Sequence, residues 1–234
     1  MTKLILITGK KQSGKDTSAK AIETHLYQLQ DNVGTYVKSY SFATPLKRYC
    51  IDVLGLTEEQ CYGSDDQKNS ATNILWRDLP FADAKLAELY IESRHPERLA
   101  DLSYADKVNI VLWLQEESVK MTAREVMQIF GSNICRKMYG DCFANWAKKE
   151  IAKDAPQYAF ITDARFPNEL EVFKDLDPII IRLQRNTFNS QHISEIALDN
   201  YAFSDFKNFV AIDNKELSLA DKNQLVVDKV KDLL

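Results

Sequence analysis

Residues 9–17, GKKQSGKDT, decide how this chain folds. They match the pattern G-x-x-x-x-G-K of a phosphate-binding loop (P-loop), with Asp-Thr where Ser or Thr usually follows the lysine. The apolar run at residues 3–8 predicts a buried strand before the loop. After the loop, Ile22, Leu26 and Leu29 fall at i, i+4 and i+7 and predict an amphipathic helix. A strand, a glycine-containing loop and a helix in this order are the setting in which such a loop binds phosphate.

The spacing of the loop suits the chemistry of phosphate binding. Gly9 and Gly14 permit backbone angles that other residues resist, so the loop amides can point at phosphate oxygens. A helix that begins near Lys15 adds the positive end of its dipole, and the Lys15 ammonium can reach the β- and γ-phosphates of ATP. The alternative is a turn that binds no ligand. We expect an ATP site formed by Gly9, Lys11, Gln12, Ser13, Gly14, Lys15, Asp16 and Thr17.

Four further apolar runs, at residues 36–42, 158–162, 179–183 and 209–212, predict buried strands with helical patterns between them. This alternation predicts an α/β fold with parallel strands and crossover helices. Thr44 and Pro45 predict the start of a second helix and Gly55 its end. Its buried face is expected to consist of Leu46, Tyr49, Cys50 and Val53.

Residues 57–120 interrupt the alternation and predict a mostly helical insertion, with residues 61–73 as a polar loop. Thr122 and Glu125 then have capping-box spacing and predict a helix that ends at Gly131. That helix carries Arg124 and Gln128 four residues apart, on one face. We expect the three tryptophans to lie in the core and not to stack on bases: Trp76, Trp113 and Trp146.

Composition limits the partners of the chain. With 234 residues, 45% of them hydrophobic, it suits one α/β domain, and a net charge of −4 provides no basic field for polymeric nucleic acid. The four cysteines form no C-x-x-C pair and the three histidines are scattered, which predicts no zinc site and free thiols in the cytoplasm. The apolar run at residues 4–7 is too short for a signal peptide, and no run is long enough to span a membrane.

Asp163 and Arg165 follow the predicted strand at residues 158–162, where parallel sheets bind ligands. Asp163 could hold the hydration shell of a Mg²⁺ ion, and Arg165 could bind phosphate oxygens. The alternative is an ion pair between these two residues that shapes the turn at Pro167. Asp16 and Thr17 are the other candidate ligands of Mg²⁺, directly or through water, although Asp16 could simply cap the helix after the loop.

Further cations are candidates for binding the second substrate or the transferred group. Lys47 lies in the first turn of the second predicted helix, and Arg124 with Gln128 could take a phosphate and a base edge, unless that face is solvated surface. Arg182 and Arg185 flank the end of the fourth predicted strand. Arg185 opens the polar stretch 185–205, which we interpret as a lid and which contains His192.

Together these residues resemble the deoxynucleoside monophosphate kinases of bacteriophages, a branch of the adenylate-kinase-like P-loop kinases. The resemblance lies in residues 7–17, 42–47, 124–131 and 162–165, and more weakly in residues 191–195. The Gly-Lys-Asp-Thr form of the loop, which departs from the general P-loop pattern, fits this family. Animal-type phosphomevalonate kinases are similar around the loop and also carry Gly-Lys-Asp.

The resemblance implies a single domain, 1–234, with a nucleoside monophosphate kinase fold and a five-stranded parallel sheet of order 2-3-1-4-5. It implies an acceptor site between the Lys47 and Arg124 helices, near the insertion at residues 57–120, and a lid that closes over ATP. Family members also suggest a homodimer, and a phage-encoded member would work in the cytoplasm of its host.

The function that we expect is transfer of the terminal phosphoryl group of ATP to a deoxynucleoside monophosphate, giving a diphosphate. Lys15, Arg165 and Asp163 are the expected catalytic residues. Mg²⁺ is expected at Asp16, Thr17 and Asp163, and the acceptor at Lys47, Arg124, Gln128 and Arg165. Two alternatives stay open: a P-loop kinase with a non-nucleotide phosphorylated acceptor such as phosphomevalonate, and an ATP-binding module without catalysis.

Overall fold

The computed structural model describes residues 2–29, 34–186 and 196–234. By its internal contacts the chain divides into two compact units. The first unit consists of Met1–Pro45 together with Gly140–Leu234, and the second is Leu46–Tyr139. The second unit is therefore larger than the predicted insertion at residues 57–120. That all 234 residues form one domain stays a prediction.

The elements, in chain order, are as follows for the described part of the chain. The strands are β1 (Lys3–Thr8), β2 (Val37–Tyr40), β3 (Ala71–Leu75), β4 (Lys120–Thr122), β5 (Tyr158–Ala164), β6 (Ile179–Leu183) and β7 (Asn208–Ile212). The α-helices are α1 (Lys15–Leu29), α2 (Ala43–Asp52), α3 (Glu58–Tyr62), α4 (Asp65–Lys68), α5 (Asp83–Arg94), α6 (Tyr104–Glu116), α7 (Ala123–Gln128), α8 (Arg136–Met138), α9 (Cys142–Asp154), α10 (Pro167–Glu171) and α11 (Leu219–Val230). A π-helical segment, Ile129–Cys135, joins α7 to α8.

The first unit is built on a five-stranded parallel sheet of order β2-β5-β1-β6-β7. Counted among the strands of this sheet alone, the order is 2-3-1-4-5, so the predicted fold is confirmed. β1 lies at the centre, with Ile5 paired to Phe160 on one side and to Ile179 on the other. The predicted strands agree with the observed ones to within two residues at each end.

The core of the first unit lies where helices cover the sheet. Ile22 and Leu26 of α1 and Val226 and Val230 of α11 are buried against the strands, as their helical spacing predicts. Leu29 does not belong to this core: it is the last residue of α1 and is 62% exposed.

The start of α2 differs from the prediction. The helix begins at Ala43, so Thr44 lies inside its first turn and is not the cap. The Asp163 carboxylate performs that function, because it accepts hydrogen bonds from the amides of Phe42 (3.0 Å) and Ala43 (3.1 Å). The Ser41 Oγ donates to the same carboxylate at 2.6 Å.

The predicted buried face of α2 is only partly correct. Cys50 is fully buried, whereas Tyr49 is 42% exposed and Val53 59% exposed. Tyr49 stacks on Phe130, with ring centroids 4.6 Å apart, and Val53 lies beyond the end of the helix. Gly55 has a left-handed φ of +74° at the turn after α2, which confirms it as the stop.

The second unit contains more regular structure than its sequence suggested. Residues 61–73, predicted as a loop, hold the end of α3, all of α4 and the start of β3. Two capping boxes explain the error: Thr57 with Gln60, and Ser64 with Gln67, each satisfy the first amides of a short helix. β3 pairs antiparallel with β4, so the region 57–120 is not wholly helical.

The core of the second unit surrounds Trp76, which is fully buried together with Leu86, Leu114 and Met121. The prediction that all three tryptophans are core residues is wrong for Trp113, which is 43% exposed. Trp146, in the first unit, is half-buried.

An ion pair joins α5 to α7 at the edge of this core. Arg94 binds Glu125 through Nε (2.8 Å) and Nη2 (3.1 Å), and its guanidinium lies 5.2 Å from the ring centroid of Tyr90. Glu125 also accepts from the Thr122 amide, which confirms the predicted capping box. The hydrogen bond to Glu125 raises the pKa of Arg94. The pair therefore fixes the start of α7.

Gly131 does not end α7, because the chain continues into the π-helical segment. A Cβ atom at Gly131 would lie 2.9 Å from Leu46 Cδ2, so the glycine is explained by close packing and not by helix termination. In the residues that the structure describes, no helix is long and apolar enough to cross a membrane.

Replacing Arg94 by Met should destabilise the second unit, because it leaves the buried Glu125 carboxylate without its cation. Removing one partner of a buried ion pair costs about 3–5 kcal/mol. We expect a loss at the lower end of that range in the free energy of unfolding, measured by urea denaturation, since Arg94 is partly exposed.

The matched control is Lys85→Met, which removes a cation of the same unit that is 46% exposed and pairs with Glu88. An exposed pair contributes less than about 1 kcal/mol, so this variant should unfold almost as the wild type does. Equal losses in the two variants would contradict a stabilising function for the Arg94–Glu125 pair.

Candidate active site

The loop between β1 and α1 requires glycine at both of its ends. Gly9 has a φ of +148° and Gly14 a φ of +95°, angles that residues with a Cβ rarely adopt. At Gly9 a Cβ would also lie 2.6 Å from Ser13 Oγ and 2.9 Å from the Leu183 carbonyl oxygen. The loop is therefore curled tightly at the carboxyl end of the central strand.

Polar groups inside the loop fit a bound anion. Ser13 is 2% exposed, and within the described residues its Oγ has no hydrogen-bond partner. A buried hydroxyl without a partner is costly, and donation to a phosphate oxygen would remove that cost. The first amides of α1, which begins at Lys15, also lack partners within the helix. This combination is what a phosphate group would satisfy.

The Lys15 side chain lies over the first half of the loop. Its Nζ donates to the carbonyl oxygens of Gly9 and Lys10, each at 2.8 Å. The ammonium is thus held next to the loop, where the motif predicts that it meets the phosphates.

Two residues that the sequence reasoning missed support the loop from behind. Asn214 is buried: its Nδ2 donates to the Ser13 carbonyl oxygen at 3.0 Å, and its Oδ1 accepts from the Arg185 amide at 2.8 Å. Lys222 of α11 is also buried, and its Nζ donates to three oxygens in residues 14–18. Burial lowers the pKa of Lys222.

Signals for both residues are present in the sequence. Asn214 comes two residues after the last sheet strand, at the edge where such sheets bind ligands. Lys222 falls four and eight residues before Val226 and Val230, so a lysine continues an apolar helical stripe. A cation in a buried stripe indicates a specific partner.

The predicted metal ligands have different surroundings. Asp16 is exposed, and its Oδ1 accepts from Thr162 Oγ1 at 2.6 Å, which links α1 to β5. In the described chain its Oδ2 takes no hydrogen bond. Thr17 Oγ1 donates to the Gly14 carbonyl oxygen at 2.9 Å. A carboxylate oxygen beside a phosphate loop suits Mg²⁺, which usually binds one or two carboxylates, phosphates and water.

The Asp163 carboxylate is already occupied with the start of α2, through Ser41, Phe42 and Ala43. The turn that follows β5 is shaped by Glu169, which the sequence reasoning also missed. Glu169 is buried and accepts from the amides of Arg165 (2.7 Å) and Phe166 (3.0 Å).

A cleft of about 740 Å³ lies beside the start of the loop. Its lining includes Gly9, Lys10, Arg165, Arg182, Asp199 and Phe203. Lys10 forms an ion pair with Asp199 at 2.6 Å, and Arg182 donates to the Leu198 carbonyl oxygen at 2.8 Å. The described part of the predicted lid from residue 196 onward therefore contacts the loop through Asp199 and β6 through Leu198. Residues 187–195, with His192, lie outside the described residues.

A smaller cleft of about 180 Å³ lies at the other end of the loop. It brings together several predicted ATP-binding residues with the two that were missed: Gln12, Ser13, Gly14, Thr17, Arg185, Asn214 and Lys222. Lys11, also predicted to bind ATP, is half-buried within the same loop.

Three of the four predicted acceptor residues, Lys47, Arg124 and Gln128, belong to the second unit, and Arg165 belongs to the first. The Lys47 ammonium lies 4.2 Å from the ring centroid of Tyr62. Arg124 donates to Asn69 Oδ1 at 2.9 Å and to Asp65 Oδ1 at 2.6 Å, so it is held in place and is not simply solvated. Gln128 is exposed one turn further along α7.

The parallel sheet has the order 2-3-1-4-5, and a glycine-bounded loop joins its central strand to a helix that begins at a lysine. These features place the chain in the class of P-loop phosphate-binding proteins. Comparison with known proteins identifies the family. The family model described as deoxynucleotide monophosphate kinase matches residues 3–217, and the chain belongs to that family. This confirms the resemblance found in the motifs, and membership of a kinase family implies that ATP and a nucleotide are its partners.

Two relatives each align with most of this chain and over most of their own length. The deoxynucleoside-5'-monophosphate kinase of Escherichia phage T5 is 26% identical over 227 residues, covering 83% of this chain and 84% of the relative. A protein of Acanthamoeba polyphaga mimivirus, provisionally named a deoxynucleotide monophosphate kinase, is 24% identical over 220 residues, with 92% and 90% covered.

Replacing Asn214 by Ala should loosen the loop, because it leaves the buried Ser13 carbonyl and the Arg185 amide without their partner. A lost hydrogen bond of this kind costs about 1–3 kcal/mol, which corresponds to ATP binding weakened by about 5-fold to 150-fold if the loop must be re-formed. Isothermal titration with ATP measures this effect.

Asn208→Ala is the matched control, since its amide makes one long, exposed hydrogen bond to the Asp177 carbonyl oxygen at 3.4 Å. We expect the dissociation constant of this variant for ATP to equal that of the wild type. An unchanged constant in Asn214→Ala would show that the bridge does not support the loop.

Proposed function

We propose that the protein transfers the γ-phosphoryl group of ATP to the phosphate of a deoxynucleoside monophosphate, giving ADP and a deoxynucleoside diphosphate. The observation that carries this proposal is the glycine-bounded loop, where the buried Ser13 hydroxyl has no partner among the described residues and the Lys15 ammonium lies beside the loop. Family membership and the name of the phage T5 relative support the identity of the acceptor.

In this proposal the loop binds and orients the triphosphate. The loop amides and Ser13 Oγ donate to phosphate oxygens, and Lys15 exchanges its two carbonyl acceptors for the β- and γ-phosphates. Arg165 is proposed to stabilise charge on the transferred group from the turn after β5, and Arg185 to contact ATP from the smaller cleft. Positioning and charge neutralisation then supply most of the catalysis.

We propose that Mg²⁺ accompanies ATP and is held by Asp16, Thr17 and Asp163, in part through water. Asp16 fits best, because its Oδ2 is available and its Oδ1 is fixed by Thr162. Bound Mg²⁺ would neutralise charge on the β- and γ-phosphates. Asp163 would act from a distance, since both of its oxygens already accept hydrogen bonds.

The acceptor is proposed to bind to the second unit through Lys47, Arg124 and Gln128, with the region 57–120 beside it. Arg124 is positioned by Asp65 and Asn69, and its guanidinium could exchange the Asp65 carboxylate for a phosphate. Gln128 is exposed and could donate to and accept from a base edge. Arg165, in the first unit, is proposed as a further acceptor-binding residue.

We also propose a lid, a cellular compartment and an oligomeric state for the enzyme. The stretch 185–205 is proposed as a lid that excludes water and prevents hydrolysis of ATP. Cys50 and Cys61 are buried free thiols, which favours a reducing compartment such as the cytoplasm. Burial raises the pKa of Cys50 to about 12, which keeps it a thiol.

We further propose that the protein forms a homodimer and that neither polymeric nucleic acid nor a membrane is among its partners.

A coupled ADP-release assay tests the function. MgATP is supplied with each deoxynucleoside and nucleoside monophosphate in turn, with phosphomevalonate, and without any acceptor. The proposal predicts release that depends on one or more deoxynucleoside monophosphates. Release with phosphomevalonate alone would replace the acceptor, and ATP binding without any acceptor-dependent release would indicate a non-catalytic ATP-binding module.

Replacing Lys15 by Ala should leave the protein folded but reduce its turnover. Removing one group that stabilises charge in the transition state lowers kcat by about 10²–10³-fold. Lys20→Ala is the matched control, because Lys20 lies on the same helix, its side chain is 74% exposed and it forms an ion pair with Glu23. Near-normal turnover in Lys15→Ala, with circular dichroism confirming a native fold, would refute the proposed site.

A further inference from the structure

Lys222 is a buried cation that the proposed reaction has not used. Its residue is 3% exposed, and its Nζ donates to the Gly14 carbonyl oxygen (3.0 Å), Thr17 Oγ1 (2.6 Å) and Ser18 Oγ (3.0 Å). None of these acceptors is a carboxylate. Within the described residues no carboxylate lies within ion-pair distance of this ammonium.

An unpaired buried ammonium is unfavourable for folding. Neutral oxygens replace the hydrogen bonds that water would make, but they do not balance the charge. The residues that follow Lys222 on the same stripe of α11, Val226 and Val230, are fully buried in the core. An apolar residue at position 222 would continue this stripe without the free-energy cost of burying a charge. Packing therefore does not explain why position 222 is a lysine.

The position of Lys222 supplies that reason. Lys15 contacts the carbonyl oxygens of Gly9 and Lys10, at the start of the loop, whereas Lys222 contacts Gly14 and Thr17, at its end. Two ammonium groups therefore bracket the loop. A multiply charged anion bound along the loop amides would balance the positive charge of the Lys222 ammonium, for which the described residues provide no carboxylate partner.

Lys222 also fixes groups that form the loop. Thr17 Oγ1 accepts from the ammonium and donates its own proton to the Gly14 carbonyl oxygen, so the hydroxyl has one orientation. A Cβ at Gly14 would lie 2.9 Å from Lys222 Nζ and would displace the ammonium, in addition to the strain that the φ angle of +95° would impose. The sequence motif and the lysine of α11 are thus spatially coupled.

We propose that Lys222 is a positioning residue of the ATP site, which holds the end of the phosphate loop in its binding shape and whose charge is balanced by the bound triphosphate. The inference rests on the proposed function, in that this loop binds ATP. It does not depend on which acceptor is used.

The test compares Lys222→Met with Lys229→Met, the same substitution at an exposed position of the same helix. Isothermal titration with ATP, without any acceptor, should show binding weakened about tenfold to a hundredfold in Lys222→Met, as expected for loss of a charged hydrogen-bond donor, and unchanged binding in Lys229→Met. Without ATP, the melting temperature of Lys222→Met should be equal to or above that of the wild type.

Two further measurements separate positioning from a purely structural function. The KM for ATP should rise in Lys222→Met while the KM for the acceptor stays constant, and Lys222→Arg should recover part of the ATP affinity. Lys222→Gln, which keeps a donor but removes the charge, should bind ATP more weakly than the wild type. This variant decides the question if Lys222→Met fails to fold.

Three results would overturn the inference. The first is wild-type affinity for ATP in a folded Lys222→Met or Lys222→Gln. The second is a lowered melting temperature in the absence of ATP together with an unchanged shift on adding ATP, which is what a structural lysine would give. The third is absence of ATP binding by the wild type, and this result would refute the proposed function as well.

Discussion

The conformation of the loop at residues 9–17 is the constraint on which the rest of the first unit depends. Left-handed backbone angles at Gly9 and Gly14 turn the chain tightly between the central strand and α1. Asn214 and Lys222, from the C-terminal part of the chain, hold this loop from behind. The sheet therefore serves to bring both parts of the sequence to one edge, where the order 2-3-1-4-5 places the strand of the loop at the centre.

Features set by local sequence could be predicted, and those set by distant contacts could not. The apolar runs predicted the strands, and the glycine spacing predicted the loop. The order of the strands in the sheet followed from the family resemblance. The start of α2 was misplaced because its cap, Asp163, lies about 120 residues away in sequence. The apolar stripe of α11 marks Lys222 as unusual, but it could not reveal that the lysine contacts the loop, since its partners lie more than 200 residues before it. The extra helices at residues 61–73 are an exception, because their capping boxes are local and were overlooked.

The residues proposed to bind the two substrates are divided between the two units. The residues proposed to bind ATP and Mg²⁺ belong to the first unit, and Lys47, Arg124 and Gln128 belong to the second. Within the second unit, Asp65 and Asn69 position the Arg124 side chain, while the Arg94–Glu125 pair fixes the start of its helix. The Arg124 side chain and its helix are thus held by specific contacts, as the loop is. The helical spacing of Arg124 and Gln128 alone did not reveal these contacts.

The central claim is that the loop and its support from α11 form a site for a triphosphate. Hydrogen–deuterium exchange, with and without a non-hydrolysable ATP analogue, tests it most directly. The account predicts slower exchange in residues 9–18 and in residues 213–222, where Asn214 and Lys222 hold the loop. Saturating analogue that leaves both segments unchanged, or protects only other parts of the chain, would contradict it.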